Sequence, residues 1–280
     1  MTRGDAVRLV ALAAIWGASF LFMRVAAPAI GPVPTAAFRM LIGGGALAAY
    51  HAWIGFDPEW RRWWRHYAGI GVINSAAPFF LYAYAALALP AGLMAVLNAT
   101  APIWGAVLSL LFLGERLSFR RSAGLVLGIG GVAVLCGPEA SDRWLAIVAG
   151  LGGALCYAVA GVAMRRSASA ASSRGMAAGT QLLGAFALVP LLAVAPPVAV
   201  PGPGVLASLL ALGLLCSGVA YVLYFRLVSD IGAGGALTVT YLIPVFGVLW
   251  GALFLGEPLS AAMLAGAALV IAGTALVLRG

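Results

Sequence analysis

Two arginines stand inside long apolar segments, where a charged side chain could meet an anionic ligand. Arg24 and Arg39 both fall near predicted helix ends, on the side of the chain that carries few other charges. A charge at membrane depth is costly unless it snorkels to the interface, pairs with another group or faces water. The pattern favours snorkelling for Arg24. Arg39 starts deeper in its segment and fits equally well with snorkelling or with binding of a substrate carboxylate.

Two prolines predict irregular backbone within apolar segments. Proline removes one helical hydrogen bond and crowds the carbonyl group four residues earlier. Those positions are Asn98 before Pro102 and Thr240 before Pro244. Such backbone persists at membrane depth where it is buried in protein or lines a watery cavity. We therefore predict that Asn98, Thr240 and Tyr241 line a central substrate site. The alternative is a structural kink that these side chains re-satisfy.

Serine and tyrosine recur at matched positions of two further segments. Ser75 and Tyr82 are seven residues apart, as are Ser217 and Tyr224, and this spacing places each pair on one helix face. They are candidates for substrate contact, although the same residue types also serve helix packing and the interfacial aromatic belt. The weaker candidates by the same reasoning are Trp16, Trp104, Tyr157, Gln181 and Trp250.

Two glutamates could act in proton coupling. Glu115 and Glu257 each follow a glycine between predicted helices, and each precedes a serine, Ser118 or Ser260, placed like the N-cap of the next helix. A turn-stabilising role fits this position better than coupling. Proton antiport uses a buried ionisable relay, and no carboxylate lies in the middle of an apolar segment. The sequence thus favours facilitated movement of a solute down its own gradient.

The composition indicates which elements must position these residues. Hydrophobic residues make up 64% of the 280 residues and charged residues 9%, whereas a soluble domain has about a quarter charged. Apolar stretches recur that are long enough to cross about 30 Å of hydrocarbon, and in lipid they must be helical to satisfy their backbone. We predict an all-α membrane protein with ten transmembrane helices, at residues 6–27, 33–54, 66–87, 91–113, 121–137, 144–164, 176–195, 204–228, 233–255 and 260–278.

The chain also carries an internal repeat. The run L-F-L-G-E-R-L-S from Leu111 returns as L-F-L-G-E-P-L-S from Leu253, 142 residues later, and farther upstream the offset is 141. We predict two five-helix repeats at 6–137 and 144–278. Duplication in an apolar chain is typical of transport proteins. The first segment belongs to the repeat and is too long for a cleaved signal peptide, so we expect it to be retained.

The distribution of arginine predicts the orientation of the repeats. All sixteen Lys and Arg positions are arginine, and an N-terminus inside the cell leaves only Arg24, Arg39 and Arg143 outside. Both termini should then be cytoplasmic. Five helices are an odd number, so the second half enters from the opposite side as an inverted repeat. The turn Gly114-Glu115-Arg116 would be cytoplasmic, and its copy Gly256-Glu257-Pro258 external.

These patterns resemble the drug/metabolite transporter superfamily, specifically the ten-helix type with two EamA domains. The resemblance is carried by W-G-A-S-F-L-F-M-R at 16–24, by Phe38-Arg39, and by the P-x-x-G…L-F-L-G-E…L-S…G pattern in both halves. It covers nearly the whole chain. It implies export of small metabolites, amino acids or drugs across a bacterial cytoplasmic membrane.

We therefore expect a secondary transporter that exports small amphipathic metabolites, such as amino acids, by alternating access. An exporter of drugs or lipophilic cations is the alternative within transport, and a non-transporting receptor or scaffold is the alternative outside it. The expected partners are a small-molecule substrate and the lipid bilayer, with the oligomeric state open.

No enzyme, cofactor or metal site is expected. The sequence contains no H-E-x-x-H motif and only two histidines, and its three cysteines have no C-x-x-C spacing. The basic residues follow membrane topology rather than forming a nucleic-acid surface.

Overall fold

The computed structural model describes residues 2–115, 118–136, 140–167 and 171–279, and Arg116 of the predicted cytoplasmic turn lies outside them. These residues are helical with no strand, so the predicted all-α class is confirmed. The α-helices are α1 (Arg3–Ile30), α2 (Pro32–Trp53), α3 (Trp60–Gly71), α4 (Ala77–Ala85), α5 (Ala91–Asn98), α6 (Ala101–Leu113), α7 (Phe119–Cys136), α8 (Ala140–Ser167), α9 (Ser173–Ala185), α10 (Pro203–Leu210), α11 (Ala220–Leu237), α12 (Val239–Leu255) and α13 (Ala261–Arg279). Two π-helical segments, π1 (Val72–Ala76) and π2 (Ala211–Val219), join α3 to α4 and α10 to α11, and a 3₁₀ turn covers Pro190–Ala193.

Eight helical stretches of the described chain are long and apolar enough to cross a membrane. They are Arg3–Ile30, Trp60–Ala85, Ala91–Leu113, Asp142–Ser167, Ser173–Ala193, Pro203–Gly232, Gly234–Leu255 and Ala261–Leu278. Large apolar side chains point outward from them, as Leu111 and Phe254 do with more than 60% of their surface exposed. Such a surface suits lipid rather than water. The chain is a multi-pass membrane protein.

The predicted fourth helix is broken in the middle. Helix α5 ends at Asn98 and α6 begins at Ala101, so Pro102 is the second residue of α6 rather than a mid-helix proline. Proline is tolerated in a first helical turn because its missing N–H has no intrahelical acceptor there. Pro244 lies inside α12, as predicted. The two halves therefore accommodate their matched prolines differently.

Helices α7 and α13 pack against each other through glycine. A Cβ atom at Gly124 would lie 2.6 Å from the carbonyl oxygen of Gly273, and one at Gly131 would lie 2.8 Å from that of Gly266. Only residues without a side chain allow two helix backbones to approach this closely. Gly124 and Gly131 are the repeat counterparts of Gly266 and Gly273. Replacing each residue of one contact by its repeat counterpart therefore gives the other contact.

A second exchange of the same kind links α2 with π2 and α9 with α3. A Cβ atom at Gly43 would lie 3.0 Å from the carbonyl oxygen of Gly213, and one at Gly184 would lie 2.7 Å from the carbonyl carbon of Gly71. Gly184 is the counterpart of Gly43, and Gly213 is the counterpart of Gly71. The contact that α2 of the first half makes with π2 of the second half is thus repeated as the contact that α9 of the second half makes with α3 of the first half.

Two groups of polar contacts distinguish two ends of the bundle. We call one end the basic face. It carries the ion pairs of Arg8 with Asp230, at 2.6 Å, and of Arg165 with Glu115, at 2.8 Å. At the other end, which we call the opposite face, Arg24 Nη1 donates to the carbonyl oxygen of Ala86 at 2.8 Å. The main apolar core lies between these faces.

Candidate functional site

A cavity of about 640 Å³ lies inside the bundle. It extends from Met23 and Phe79 in the interior to Ser167, Ser173 and Leu278 at the basic face. Seven of the side chains predicted for the substrate site line it, from both halves of the chain: Trp16, Arg39, Tyr82, Asn98, Tyr157, Tyr224 and Thr240. Its volume is within the range of about 300–1,000 Å³ that is typical of small-molecule sites.

Arg39 is the charged group of the cavity interior. Only 4% of its surface is exposed. Its Nε donates a 3.2 Å hydrogen bond to the Ser217 hydroxyl, and its guanidinium carbon lies 3.8 Å from the centre of the Phe79 ring. Its Nη1 is buried without a hydrogen-bond partner. No carboxylate of the described chain lies within ion-pair distance of it. The snorkelling alternative does not apply to Arg39, because its head group points into the interior.

Segment π2 contains the groups that accept hydrogen bonds from Arg39 and from Trp16 of the cavity wall. Ser217 is fully buried there, and its neighbour Cys216 lines the cavity. The indole N–H of Trp16 donates to the carbonyl oxygen of Cys216 at 3.2 Å, which fixes that ring against the wall. π-Helical turns are rare and are found frequently at functional sites. Apart from the two matched serines that they contain, nothing in the sequence predicted π1 or π2.

Aromatic rings form most of the cavity wall near Arg39. Trp16 and Tyr224 have ring centroids 5.5 Å apart, and Tyr82 stacks with Tyr157 at 6.4 Å. Tyr82 also meets Phe20 edge-on at 5.4 Å. The Tyr82 hydroxyl is buried without a hydrogen-bond partner. Rings with polar tips offer an apolar surface and a small number of directional contacts, as ligand sites commonly do.

Asn98 and Thr240 reach the cavity from the two broken helix regions, but they do not repair the backbone in the same way. Thr240 Oγ1 donates to the carbonyl oxygen of Leu237 at 2.8 Å. At the first break the donor is Thr100, whose hydroxyl lies 2.6 Å from the carbonyl oxygen of Leu97. Asn98 itself lines the cavity.

Thr274 supports the same break from a distant helix. Its buried hydroxyl donates to the carbonyl oxygen of Ala99 at 2.7 Å, which joins α13 to the turn between α5 and α6. The repeat counterpart of Thr274 is Val132, which has no hydroxyl. This support therefore exists in one half of the chain, and the sequence did not indicate it.

Three predicted residues do not line the cavity: Ser75, Ser217 and Tyr241. Ser217 acts one layer behind the wall, through Arg39. Ser75 is fully buried with no partner for its hydroxyl. Ser75 lies in π1 and Tyr82 in α4, and of the two only Tyr82 lines the cavity. Tyr241 is half-buried on the first turn of α12.

Phe79 belongs to the site and was not predicted from the sequence. Its ring lies under the Arg39 guanidinium, where the negative face of the ring attracts a cation. One phenylalanine among twelve carries no signal in a single apolar sequence. Only the packing of α4 against α2 identifies it.

The described part of the chain contains no cluster of side chains that could bind a metal ion. No group of three or more His, Cys, Asp or Glu side chains there is arranged to hold an ion. Cys156 and Cys216 are free thiols, and the side chain of Cys136 lies outside the described residues.

The model of the EamA-like transporter family matches residues 6–137 and 144–279, and so matches this chain twice. The chain belongs to the EamA-like transporter family. It is a transporter rather than an enzyme, and its relatives are transporters of the drug/metabolite superfamily.

Similar proteins match over nearly their full length. The "Uncharacterized transporter YvbV" of Bacillus subtilis is 27% identical over 97% of this chain and 90% of its own. The "Probable terminal-alkyne amino-acid exporter" of Streptantibioticus cattleyicolor is 28% identical over 97% of this chain and 92% of its own. A solved crystal structure covers 98% of the chain with a TM-score of 0.69 at 23% identity, and this likeness concerns the fold alone.

Proposed function

We propose that this transporter exports small amphipathic metabolites that carry a carboxylate, such as hydrophobic or aromatic amino acids, by alternating access. The observation that carries this proposal is the buried Arg39, which has an unpartnered Nη1 inside an aromatic cavity. The amino-acid exporter among the similar proteins supports the same class of substrate.

The argument for a carboxylate rests on the cost of an unpaired buried charge. A charge held away from water is stable only when it is paired and hydrogen-bonded. Ser217 and Phe79 supply a neutral acceptor and a ring face, and neither neutralises the guanidinium. A substrate carboxylate would supply the missing charge and accept from Nη1, since arginine presents donors in a planar fork that suits carboxylates.

The remaining walls suit the apolar part of such a solute. Trp16, Tyr157 and Tyr224 present ring faces, while Asn98 and Thr240 offer neutral hydrogen-bonding groups. No Asp or Glu occurs among the described lining residues. This favours a substrate moving without proton coupling, because no buried carboxyl group stands in the cavity to carry the proton.

The proposed architecture is ten transmembrane helices in two inverted five-helix repeats. Helices α2 and α7 would complete the eight spans already identified. The glycine contacts between α7 and α13 support a two-fold relation between the two halves. In such a relation, a contact between two residues recurs between their repeat counterparts with the two halves interchanged. These helices run in opposite directions, so the proposed axis lies in the plane of the membrane.

The proposed location is the cytoplasmic membrane of a bacterium, with both termini inside, as the arginine distribution predicts. The basic face would then be cytoplasmic and the opposite face external. A cavity that reaches the basic face corresponds to an inward-facing carrier that is ready to load its substrate from the cytoplasm.

The runner-up substrate class, drugs or lipophilic cations, is favoured by the aromatic walls and disfavoured by Arg39, which repels a cation. A non-transporting scaffold would need neither feature. The test is flux in proteoliposomes of labelled phenylalanine, leucine and a lipophilic cation, with and without an imposed pH gradient. Amino-acid flux that needs no gradient and is lost in Arg39→Ala supports the proposal. Flux of the cation alone, or of no solute, would contradict it.

A further inference from the structure

Glu257 makes a contact that a turn residue does not need. Its carboxylate Oε1 accepts from the backbone N–H of Ala91 at 2.8 Å, and its Oε2 accepts from that of Gly92 at 3.3 Å. Ser260 already caps the helix that follows this turn, with its hydroxyl 3.1 Å from the N–H of Met263. Glu257 therefore caps a helix of the other half of the chain, α5, rather than its own.

Helix α5 depends on this carboxylate for its N-terminal cap. Pro90 stands at the N-cap position of α5 and its side chain offers no acceptor. The Glu257 carboxylate accepts from two N–H groups that have no acceptor within the helix. Its negative charge also lies at the positive end of the helix dipole, and this stabilises the helix. The contact joins the α12–α13 turn to the start of α5 across the opposite face.

Helix α5 connects this contact directly to the cavity. It is eight residues long, or about 12 Å at 1.5 Å per residue, and it ends at Asn98 in the cavity wall. Pro90 precedes it and the break at Ala99–Thr100 follows it, so α5 is a short helix that is bounded by an interruption at each end and links the Glu257 contact to the cavity wall.

The two halves of the chain differ at this point. Glu115, the repeat counterpart of Glu257, binds Arg165 at 2.8 Å and Arg121 at 3.4 Å at the basic face, to which the cavity extends. Gly251 leaves the space that Glu257 occupies, because a Cβ atom there would overlap Oε2. The counterpart of Gly251 is Ser109, whose hydroxyl accepts from Arg165 instead.

We infer that Glu257 is the gate residue of the opposite face, which holds that face closed while the cavity is open at the basic face. Opening of the opposite face requires α5 to separate from the α12–α13 turn, and the carboxylate must then leave the Ala91 and Gly92 amides. This inference rests on the proposed alternating access. It assigns Glu257 a role in the conformational equilibrium rather than in proton transfer.

The test measures access to the cavity rather than flux. Met23→Cys is placed at the inner end of the cavity in a chain whose native cysteines are replaced. Intact cells are treated with a membrane-impermeant thiol reagent from outside. Two variants remove the contact in independent ways: Glu257→Ala deletes the carboxylate, and Gly251→Ala displaces it.

Two matched controls leave the contact intact. Ser260→Ala removes a cap from the same turn without touching α5, and Gly105→Ala adds a methyl group to a helical glycine that has open space around it. We expect Glu257→Ala and Gly251→Ala each to raise external labelling about tenfold, the shift that a lost charge-assisted hydrogen bond produces, and both controls to leave it unchanged.

Three results would overturn the inference: unchanged labelling in both Glu257→Ala and Gly251→Ala, an equal rise in the controls, or wild-type labelling in Glu257→Gln, which keeps the shape of the side chain without its charge. Thermal stability in detergent separates loss of fold from a shift of conformation. Labelling that responds as expected in a protein that shows no amino-acid flux would retain the gate and contradict the proposed substrate.

Discussion

Arg39 and Ser217 lie 178 residues apart in the chain, and the Nε of Arg39 donates a 3.2 Å hydrogen bond to the Ser217 hydroxyl. The repeat counterparts of these residues are Thr180 and Ser75, so the cation exists in one half only. Thr180 donates to the carbonyl oxygen of Met176 in its own helix, and the Ser75 hydroxyl has no partner. In the described part of this duplicated chain, the buried cation thus has no counterpart in the other half, and we predict that it orients the substrate.

Replacement of Arg39 by alanine should lower transport of carboxylate solutes about 10- to 100-fold in Vmax/KM, because a hydrogen-bonded charge pair with the substrate is lost. Arg39→Lys should restore only part of the activity, since an ammonium group cannot make a planar two-point contact. The measurement is initial uptake in proteoliposomes. Arg24→Gln is the control, because Arg24 binds a backbone carbonyl outside the cavity lining. Equal losses in both variants would contradict a substrate role for Arg39.

Ser217→Ala and Ser75→Ala form a matched pair of substitutions at equivalent buried positions. Ser217→Ala should raise KM about fivefold, because Arg39 loses the hydrogen bond that orients it. Ser75→Ala should leave KM unchanged, since its hydroxyl has no partner to lose. Saturation curves for phenylalanine uptake would show the difference. If the two variants behave alike, Ser217 has no specific role in positioning Arg39.

Thr274→Val should destabilise the protein by about 1–3 kcal/mol, because the carbonyl oxygen of Ala99 would be left buried without its donor. Valine is close to threonine in shape, so packing changes little. The measurement is the unfolding transition of the detergent-solubilised protein. Val132→Thr, at the equivalent position of the other half, is the control for adding or removing one hydroxyl in these helices. An unchanged transition for Thr274→Val would show that the backbone break needs no support from α13.

Gly124→Ala should destabilise the packing of α7 on α13 by about 1–3 kcal/mol, since its methyl group would meet the carbonyl oxygen of Gly273 at 2.6 Å. Gly130→Ala in the same helix should have no such cost, because nothing lies within 4 Å of the added atom. Thermal unfolding of the two variants provides the comparison. Similar stabilities would mean that α7 and α13 do not depend on this close approach.

Features of the chain that depend on composition and local pattern were accessible from the sequence. The apolar segments predicted an all-helical membrane protein, and the matched L-F-L-G-E runs led to the family that the comparisons show. Hydrophobicity and residue type act locally, so one sequence reports them directly. Seven of the ten residues proposed for substrate contact also line one cavity.

The breaks in the helices could be predicted only in part from the sequence. Pro102 and Pro244 indicated irregular backbone, but Pro102 occupies a first helical turn, and the side chain that bonds a backbone carbonyl group at that break, the one of Leu97, is Thr100 rather than the predicted Asn98. The π segments carry no distinct residue code, because an extra residue per turn is stabilised by packing against neighbouring helices rather than by propensity.

Apolar length and repetition are properties of the chain alone, so they were enough to predict a duplicated helical transporter that spans a membrane. The packing of the helices buries Arg39 beside Ser217 and Phe79, and it brings Glu257 to the N-terminus of α5. Each of these contacts joins residues from different helices, most of them from different halves. Their energies depend on distance and burial in three dimensions, which no spacing along the chain encodes.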